Sequence, residues 1–235
     1  DNACAIATSC KAIKDADPNA ADGVFTIDPD GGGPGMAYPV YCDMTTDGGG
    51  WMMVFKVSSG VAGNANTLWN GAALNDDDLT LLDTAKADKH YVSRYVSTTW
   101  NQGGVTLSEV RAHTYVNQVL GKYFKFDGSG SNKTNWFTSA KLTMSSYLDV
   151  KSGPWNYFAI AGDNANGRNW FISRNYGGCG NDAGWLIVDT TADPCTWESG
   201  AGAPLRILYS GANTYSNWNT ANQIVKGDVF AVFVR

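Results

Sequence analysis

The cysteines constrain this chain more than any other feature of its sequence. There are five of them: Cys4, Cys10, Cys42, Cys179 and Cys195. None forms the Cys-x-x-Cys spacing that is typical of zinc sites and redox motifs, so disulfides are expected. Proximity in the sequence favours one bridge between Cys10 and Cys42 and another between Cys179 and Cys195. Because disulfides persist in oxidising compartments, the pattern predicts a secreted, extracellular protein.

Cys4 is left over by that pairing. It precedes the first bridge, where it could link two chains into a disulfide-bonded homo-oligomer or remain a free thiol. Both alternatives stay open on the sequence alone.

The charge of the chain excludes two classes of partner. Its 235 residues carry 17 Lys and Arg against 22 Asp and Glu, a net charge of −5, which removes the attraction behind most non-specific binding to nucleic acid or anionic lipid. No apolar stretch approaches the roughly 18 residues of a membrane-spanning helix. The segment from Asp1 to Ser9 lacks the basic start and apolar centre of a signal peptide. We therefore expect the mature form of an exported protein, with no nucleic-acid partner and no membrane insertion.

Short β-prone segments separated by glycine-rich turns dominate the chain. Early strands are predicted at Val24 to Ile27, Pro39 to Met44 and Trp51 to Val57, after a helix from Ser9 to Asp15 that Ser9 caps. Later strands are predicted at Tyr123 to Phe126, Tyr157 to Ile160, Trp170 to Ile172, Trp185 to Val188 and Leu205 to Tyr209. The run from Asp228 to Arg235 has no breaker and predicts an interior strand.

Two segments depend on weaker patterns. Asn75 and Asp76 offer N-cap oxygens to a predicted helix from Asp77 to about Ala87. The stretch from Leu107 to Leu120 fits either a helix or a strand followed by a helix, and the sequence does not decide between them.

The motifs of several enzyme classes are missing. There is no Gly-x-Ser-x-Gly elbow, no phosphate-binding Gly-Lys-Ser/Thr loop and no His-Glu-x-x-His. The two histidines, His90 and His113, are interpreted as packed or surface imidazoles rather than catalytic bases. A glycosidase with paired carboxylates stays open in principle, but no spacing selects two of the 22 acidic residues. We predict that the chain is not an enzyme.

The segment from Ala161 to Glu198 carries the candidate site. Asp163, Asn164 and Asp182 supply hard oxygen donors of the kind that calcium binds, which predicts a calcium site in loops stiffened by a disulfide. Aromatic faces and hydrogen-bonding groups suited to a saccharide are combined in a predicted ligand set: Asn166, Tyr176, Asn181, Asp182, Trp185 and Glu198.

Ordinary structural roles compete with these assignments. Asn and Gly are common turn formers, and the stretch that starts at Asp163 departs from the calcium-loop pattern because Ala165 stands third and Arg174 twelfth. For Trp170, Trp185 and Trp197, core packing is favoured over stacking against a ligand. Asn132 begins the only Asn-x-Ser/Thr sequon and should lie on an exposed loop if it is glycosylated.

Four motifs open the chain in a fixed order. They are Ser9-Cys10-Lys11-Ala12-Ile13-Lys14, the run from Ala21 to Gly31, Tyr41-Cys42-Asp43-Met44 and Asp47-Gly48-Gly49-Gly50-Trp51. This order of short helix, strand, Cys-Asp-Met, glycine turn and Trp resembles the start of a fibrinogen-related domain, the family of ficolins, tachylectins and intelectins. Those lectins bind glycans or acetyl groups.

The resemblance implies an α+β fold, a fibrinogen-like domain with a central twisted antiparallel sheet, few short helices and a loop-rich ligand-binding lobe. It implies one domain over residues 1–235, with an N-terminal disulfide subdomain at 1–50, a central sheet region at 51–160, and a binding region with the C-terminal central strand at 161–235. It also supports both bridges and places Cys179 and Cys195 beside the ligand pocket.

These observations together predict a secreted carbohydrate-binding lectin, a pattern-recognition module of innate recognition. Its partners would be glycans, bound with the help of calcium and made multivalent by a homo-oligomer. The alternative is an extracellular structural or adhesive protein whose fibrinogen-like domain binds protein partners.

Overall fold

Two antiparallel sheets and a few short helices make up the regular structure, as the predicted α+β class requires. The computed structural model describes residues 6–33, 35–101, 106–190, 195–199, 205–220 and 222–235. Four short α-helices lie within them: α1 (Cys10–Ala16), α2 (Ala65–Asn70), α3 (Arg94–Thr98) and α4 (Thr196–Ser199). No helix in these ranges is both long and apolar enough to span a bilayer.

The larger sheet consists of β1 (Gly23–Ile27), β2 (Tyr38–Asp43), β3 (Trp51–Ser58), β4 (Tyr91–Val92), β5 (Glu109–Val116), β6 (Val119–Asp127), β7 (Leu142–Ser145) and β14 (Val229–Val234). Its order is β1-β2-β3-β14-β5-β6-β7, with β4 paired to β3. The smaller sheet consists of β8 (Tyr157–Ala159), β9 (Arg168–Asn175), β10 (Ala183–Asp189), β11 (Arg206–Ser210), β12 (Ser216–Asn217) and β13 (Ile224–Gly227). Its order is β13-β11-β10-β9-β8, with β12 paired to β10.

The strand β14 lies between β3 and β5, so the prediction of an interior strand is confirmed. Its side chains alternate between the two faces of the larger sheet, and both faces are covered. Phe230 and Val232 join the main core, while Ala231 and Phe233 join a cluster on the opposite face. A strand apolar on both faces reads as a continuous hydrophobic run, which is the pattern of this segment.

The N-terminal helix is tied to the larger sheet by the first disulfide. Ser9 caps α1, since its Oγ accepts from the Ala12 amide at 3.1 Å. Cys10, the first residue of α1, is bonded to Cys42 in β2. The predicted helix, its cap and this bridge are confirmed.

The prediction of a helix from Asp77 to Ala87 is wrong. The structure has only one 3-10 turn there, Leu79–Leu81, capped by Asp78. The acidic side chains are used in tertiary contacts instead: the Asp76 carboxylate pairs with Arg94 and the Asp83 carboxylate with Lys56. These contacts outweigh the weak helical spacing of the leucines.

The open question about residues 107–120 has a different answer from either alternative. The segment forms β5 and the start of β6, joined by the two-residue turn Asn117-Gln118. Both turn residues have positive φ, 50° and 64°, which matches the twist of a tight antiparallel hairpin. No helix forms in this stretch.

The main core between the sheets is aromatic. Trp170 of β9 stacks on Phe55 of β3 with ring centroids 5.6 Å apart, and Trp69 of α2 meets Trp170 edge-on at 5.2 Å. Trp136 completes the group, and all four rings are fully buried. Each such pair contributes about 0.5–1.5 kcal/mol beyond burial of its area. This cluster fixes the two sheets against each other.

Each sheet also carries a small apolar cluster on its outer face. On the larger sheet this cluster includes Trp51, Tyr115 and Phe233. On the smaller sheet it is built from Phe171, Ile187, Leu208 and Trp218. Each outer face also bears a cavity.

Candidate functional site

The second disulfide lies at the edge of the outer face of the smaller sheet. Cys179, in the turn between β9 and β10, is bonded to Cys195, which immediately precedes α4. This confirms the predicted pairing. Because α4 is a single turn, the bridge determines where its side chains point.

A buried ion pair holds α4 from the other side. The Arg168 guanidinium donates to both carboxylate oxygens of Glu198, at 2.8 and 3.0 Å, and both residues are buried. Arg168 also donates to the Tyr176 hydroxyl, which in turn donates to the Asp163 carboxylate at 2.5 Å. Asn166 donates to the same Asp163 oxygen at 2.7 Å. We call these five residues the Arg168 network.

The pKa values in the Arg168 network follow from these contacts. Burial alone would lower the pKa of Arg168, but the hydrogen bonds and charge of Glu198 outweigh it and the pKa is raised. Burial together with the Asp163 bond raises the pKa of Tyr176 to about 12. Burial would raise the pKa of Asp163, yet the bonds from Asn166 and Tyr176 lower it. Arg168 and Asp163 are therefore charged at neutral pH, and Tyr176 keeps its proton.

The cavity of this face has a volume of about 260 Å³. Its lining combines apolar and polar groups: Thr196, Trp197, Leu208, Trp218, Asn219, Thr220, Asn222, Ile224 and Lys226. The indole rings of Trp197 and Trp218 stack with centroids 5.8 Å apart and planes at 29°. They form an aromatic floor that is surrounded by amide and hydroxyl groups.

The two indoles are positioned through the second disulfide. Trp197 lies in α4, and the Arg168 guanidinium packs over its ring at 5.4 Å. Trp218 donates its backbone N–H to the Asp182 carbonyl at 2.9 Å, and the Asn219 amide donates to the Cys179 carbonyl. Each half of the bridge therefore supports one side of the aromatic floor.

The predicted ligand residues are placed close together, but most of them have structural partners. Glu198, Tyr176 and Asn166 belong to the Arg168 network. The Asp182 carboxylate is 1% exposed and accepts from the Gly177 and Gly178 amides at 3.1 and 3.2 Å.

Trp185 and Asn181 differ in their exposure to solvent. Trp185 is fully buried in the main core and donates to Asp149 at 2.7 Å, so its ring presents no face to a ligand. The core alternative holds for this residue, and the reason is that β10 turns it inward. Asn181 is exposed and its backbone N–H donates to the Gly178 carbonyl.

The predicted calcium ligands do not converge. Asp163 is engaged in the Arg168 network, the Asn164 amide oxygen accepts from Asn66 and Asn169 at 3.1 Å each, and Asp182 closes the disulfide turn. Within the described ranges no three His, Cys, Asp or Glu residues are grouped to hold an ion. The donor set Asp163, Asn164 and Asp182 therefore does not fit one calcium ion.

The remaining predicted positions have simpler outcomes. Asn132 is exposed on a turn, and its side-chain oxygen accepts from the Thr134 amide at 2.9 Å, so its glycosylation stays a prediction. Cys4 lies outside the described residues, and the interchain link stays a prediction as well.

The sequence interpretation missed most residues of the cavity. For Trp197 the sequence favours core packing over ligand stacking, and it does not single out Trp218, Asn219 or Asn222. A signal was present, since Trp218 stands between Asn217 and Asn219 instead of within an apolar run. A tryptophan between two residues with side-chain amides is a candidate for a ring that packs against the protein and also contacts a ligand.

A family comparison agrees with the sequence motifs. Residues 7–73 match the family described as the C-terminal globular domain of the fibrinogen beta and gamma chains. Among solved structures, the fibrinogen-like globe domain of human ANGPTL6 is 13% identical, with 97% of this chain and 95% of that chain covered at a TM-score of 0.44. The family match over residues 7–73 agrees with the resemblance to a fibrinogen-related domain seen in the sequence motifs of that segment.

Proposed function

We propose that the chain is an extracellular, non-catalytic binding module whose ligand is a saccharide, bound in the cavity beside the second disulfide. The observation that carries the proposal is the stacked pair of Trp197 and Trp218 in the floor of that cavity. A flat aromatic floor with a polar rim suits a ligand that has C–H faces and many hydroxyls.

The polar rim matches the hydroxyl groups of a sugar. Asn219 and Asn222 each carry an amide with both a donor and an acceptor, and Thr220 adds a hydroxyl. The indole N–H groups of Trp197 and Trp218 have no hydrogen-bond partner in the described part of the chain. Buried donors of this kind normally find a partner.

The composition of the cavity also supports binding without catalysis. None of its described lining residues is Asp, Glu, His or Cys, the side chains that usually act as general bases, acids or strong nucleophiles. Apart from Lys226, the lining consists of indole, amide, hydroxyl and aliphatic groups, which are suited to recognising a ligand.

Two further parts of the proposal concern affinity. A shallow single site binds weakly, so we propose that a homo-oligomer, linked through Cys4 or otherwise, supplies avidity. Calcium assistance stays a prediction, and its test is a chelator, because the cavity described above needs no ion to be formed.

A glycan array with and without EDTA tests the proposal. We expect saturable binding that free sugar competes away. Trp197→Ala should weaken this binding at least tenfold, since covering a large apolar side chain with the ligand is worth about 1.5–3 kcal/mol. Trp197→Phe should retain part of it, because it keeps an aromatic face.

Trp155→Ala is the matched control. Trp155 is 36% exposed and lies outside the cavity lining, and it donates to the Val150 carbonyl at 2.8 Å. Equal loss in both alanine variants would mean that the cavity is not the site. No binding to any glycan, together with capture of a defined extracellular protein, would replace the proposal with the adhesive alternative.

A further inference from the structure

The outer face of the larger sheet carries a second cavity, which the proposed function does not use. It has a volume of about 220 Å³ and lies over β5, β6 and β7. Arg111 and His113 of β5 line it together with Leu120, Tyr123 and Met144. This cavity is on the opposite sheet from the aromatic floor, so a ligand bound here does not depend on saccharide binding.

The register of the sheet shows why these side chains share one face. Arg111 pairs with Lys125 of β6, which pairs with Met144 of β7. His113 pairs with Tyr123 in the next row. Directly opposed residues of antiparallel strands point to the same face, and so do residues two apart on one strand. The cavity is thus built on two adjacent rows of side chains.

Arg111 has one hydrogen-bonding group without a partner. Its guanidinium pairs with Asp43 at 2.5 Å, donates to the Thr46 carbonyl at 3.3 Å, and packs over the ring of Trp51 at 4.4 Å. Its Nε, in a residue that is 1% exposed, has no partner among the described residues. This N–H is a buried donor at the wall of the cavity.

His113 supplies a second such donor. Burial and the nearby Arg111 charge lower the pKa of His113 well below its usual value, so the ring is neutral at neutral pH. Its Nδ1 is 3.5 Å from the Tyr115 hydroxyl, and burial raises the pKa of that phenol, which therefore keeps its proton. We assign the Tyr115 hydroxyl as the donor to Nδ1, the tautomer that leaves the imidazole proton on Nε2. Nε2 has no partner within the described residues.

The charges around the cavity are already matched. Arg111 pairs with Asp43, and Lys125 pairs with Asp47 at 2.9 Å. Neither pair has a surplus charge to attract an anion or a cation. The donors therefore favour an uncharged acceptor, such as the carbonyl oxygen of an amide.

Thr46 and Asp47 complete the polar side of the lining, and two apolar walls are open to solvent. Leu120 is 38% exposed and Met144 is 47% exposed. Met144 is unbranched and flexible, so its side chain can turn to admit a ligand to the two donors beneath it. A ligand for this cavity needs an apolar body next to its carbonyl group.

We propose that this cavity binds a small uncharged amide, whose carbonyl oxygen accepts from the Arg111 Nε–H and His113 Nε2–H groups while its apolar part lies against Leu120, Tyr123 and Met144. The buried donors, the paired charges and the open apolar walls all favour an uncharged amide with an apolar part. We expect a dissociation constant of about 1 mM for a ligand of this size.

Three compounds with the same ring test the proposal: phenylacetamide, phenylacetate and 2-phenylethylamine. Long-range ¹H–¹⁵N spectra of the full chain report on both of its histidines. We expect phenylacetamide to shift the His113 ring nitrogens and to bind at least tenfold more tightly than either charged compound. His90 serves as the internal reference, because its Nε2 is bonded to the Ala62 carbonyl at 3.0 Å.

Variants distinguish an effect on ligand binding in the cavity from an effect on folding. Met144→Ala should weaken phenylacetamide binding several-fold, whereas Met36→Ala, at a methionine that is 78% exposed and outside the cavity, should not. His113→Phe should weaken binding at least tenfold. If that variant does not fold, the wild-type spectra and the two methionine variants still decide. An unmoved His113 signal at about ten times the expected dissociation constant, or equal binding of a charged compound, overturns the proposal.

Discussion

Acid should destabilise this protein through its two histidines. His113 is 1% exposed and His90 is 4% exposed. Burial lowers the pKa of both, and the Arg111 charge lowers that of His113 further. Each ring is therefore neutral in the folded state at pH values where the unfolded chain, with a usual histidine pKa near 6.5, already takes up a proton. Stability is thus lost as the pH falls through about 6.5.

The magnitude follows from proton linkage. A histidine that stays neutral when folded and titrates freely when unfolded costs about 1.3 kcal/mol between pH 7 and pH 5.5. His113 therefore accounts for a loss of about 1.3 kcal/mol, and His90 raises the total to at most about 2.5 kcal/mol over that interval. The carboxylates contribute little there, because their unfolded pKa values lie near 4.

Urea unfolding followed by circular dichroism at several pH values measures this effect. His113→Phe should stay within about 1 kcal/mol of the wild type at pH 7. It removes the long Tyr115–Nδ1 contact of 3.5 Å, but it also replaces a buried ring whose Nε2 has no partner in the described structure with an apolar ring of similar shape. Between pH 7 and pH 5.5 the variant should then lose about 1.3 kcal/mol less stability than the wild type. Equal losses in the wild type and the variant would refute the assignment of His113 as a buried neutral ring.

Two further predictions concern the backbone and the Arg168 network. Gly49→Ala should destabilise the fold by about 2–4 kcal/mol, because φ is 75° there and the new Cβ would stand 2.1 Å from the Met44 carbonyl oxygen. Gly177→Ala, which meets nothing within 4 Å, should change the free energy of unfolding by less than about 0.5 kcal/mol in the same urea assay, and equal effects would contradict the steric argument. Glu198→Gln should lower the thermal midpoint by about 10 °C, since it leaves Arg168 buried without its counter-charge, whereas a midpoint within about 2 °C of the wild type would show that the pair adds no stability.

Local signals were sufficient to predict much of the fold. The cap at Ser9 depends on neighbouring backbone groups, and the continuous apolar run of β14 depends only on the sequence of that strand. The strands near Trp51 and Trp185 were predicted for the same reason, because β-branched and aromatic runs between glycine turns carry their own signal.

Tertiary contacts explain what the sequence did not predict. Asp76 and Asp83 pair with basic side chains far along the chain, and this removed the helix expected between them. The Glu198 carboxylate is a group that can accept from sugar hydroxyls, but both of its oxygens accept from Arg168 instead. Trp170 has a φ of 45°, which no propensity for an aromatic residue in a strand would indicate.

The cavity was harder to predict than the strands for a related reason. Trp197 and Trp218 lie on separate segments, and only the disulfide turn, with Asp182 and the amide of Asn219, brings them together. The sequence therefore predicted the region of the second bridge and not the residues of the aromatic floor.

The position of β14 has a consequence for biosynthesis. Its neighbours β3 and β5 are made more than a hundred residues earlier, yet each hydrogen-bonds to β14 and not to the other. During translation the edges of β3 and β5 that pair with β14 stay unpaired until residues 229–234 leave the ribosome. Exposed edges invite pairing with other chains, so a nascent chain of this type should depend on chaperones until its last strand is inserted.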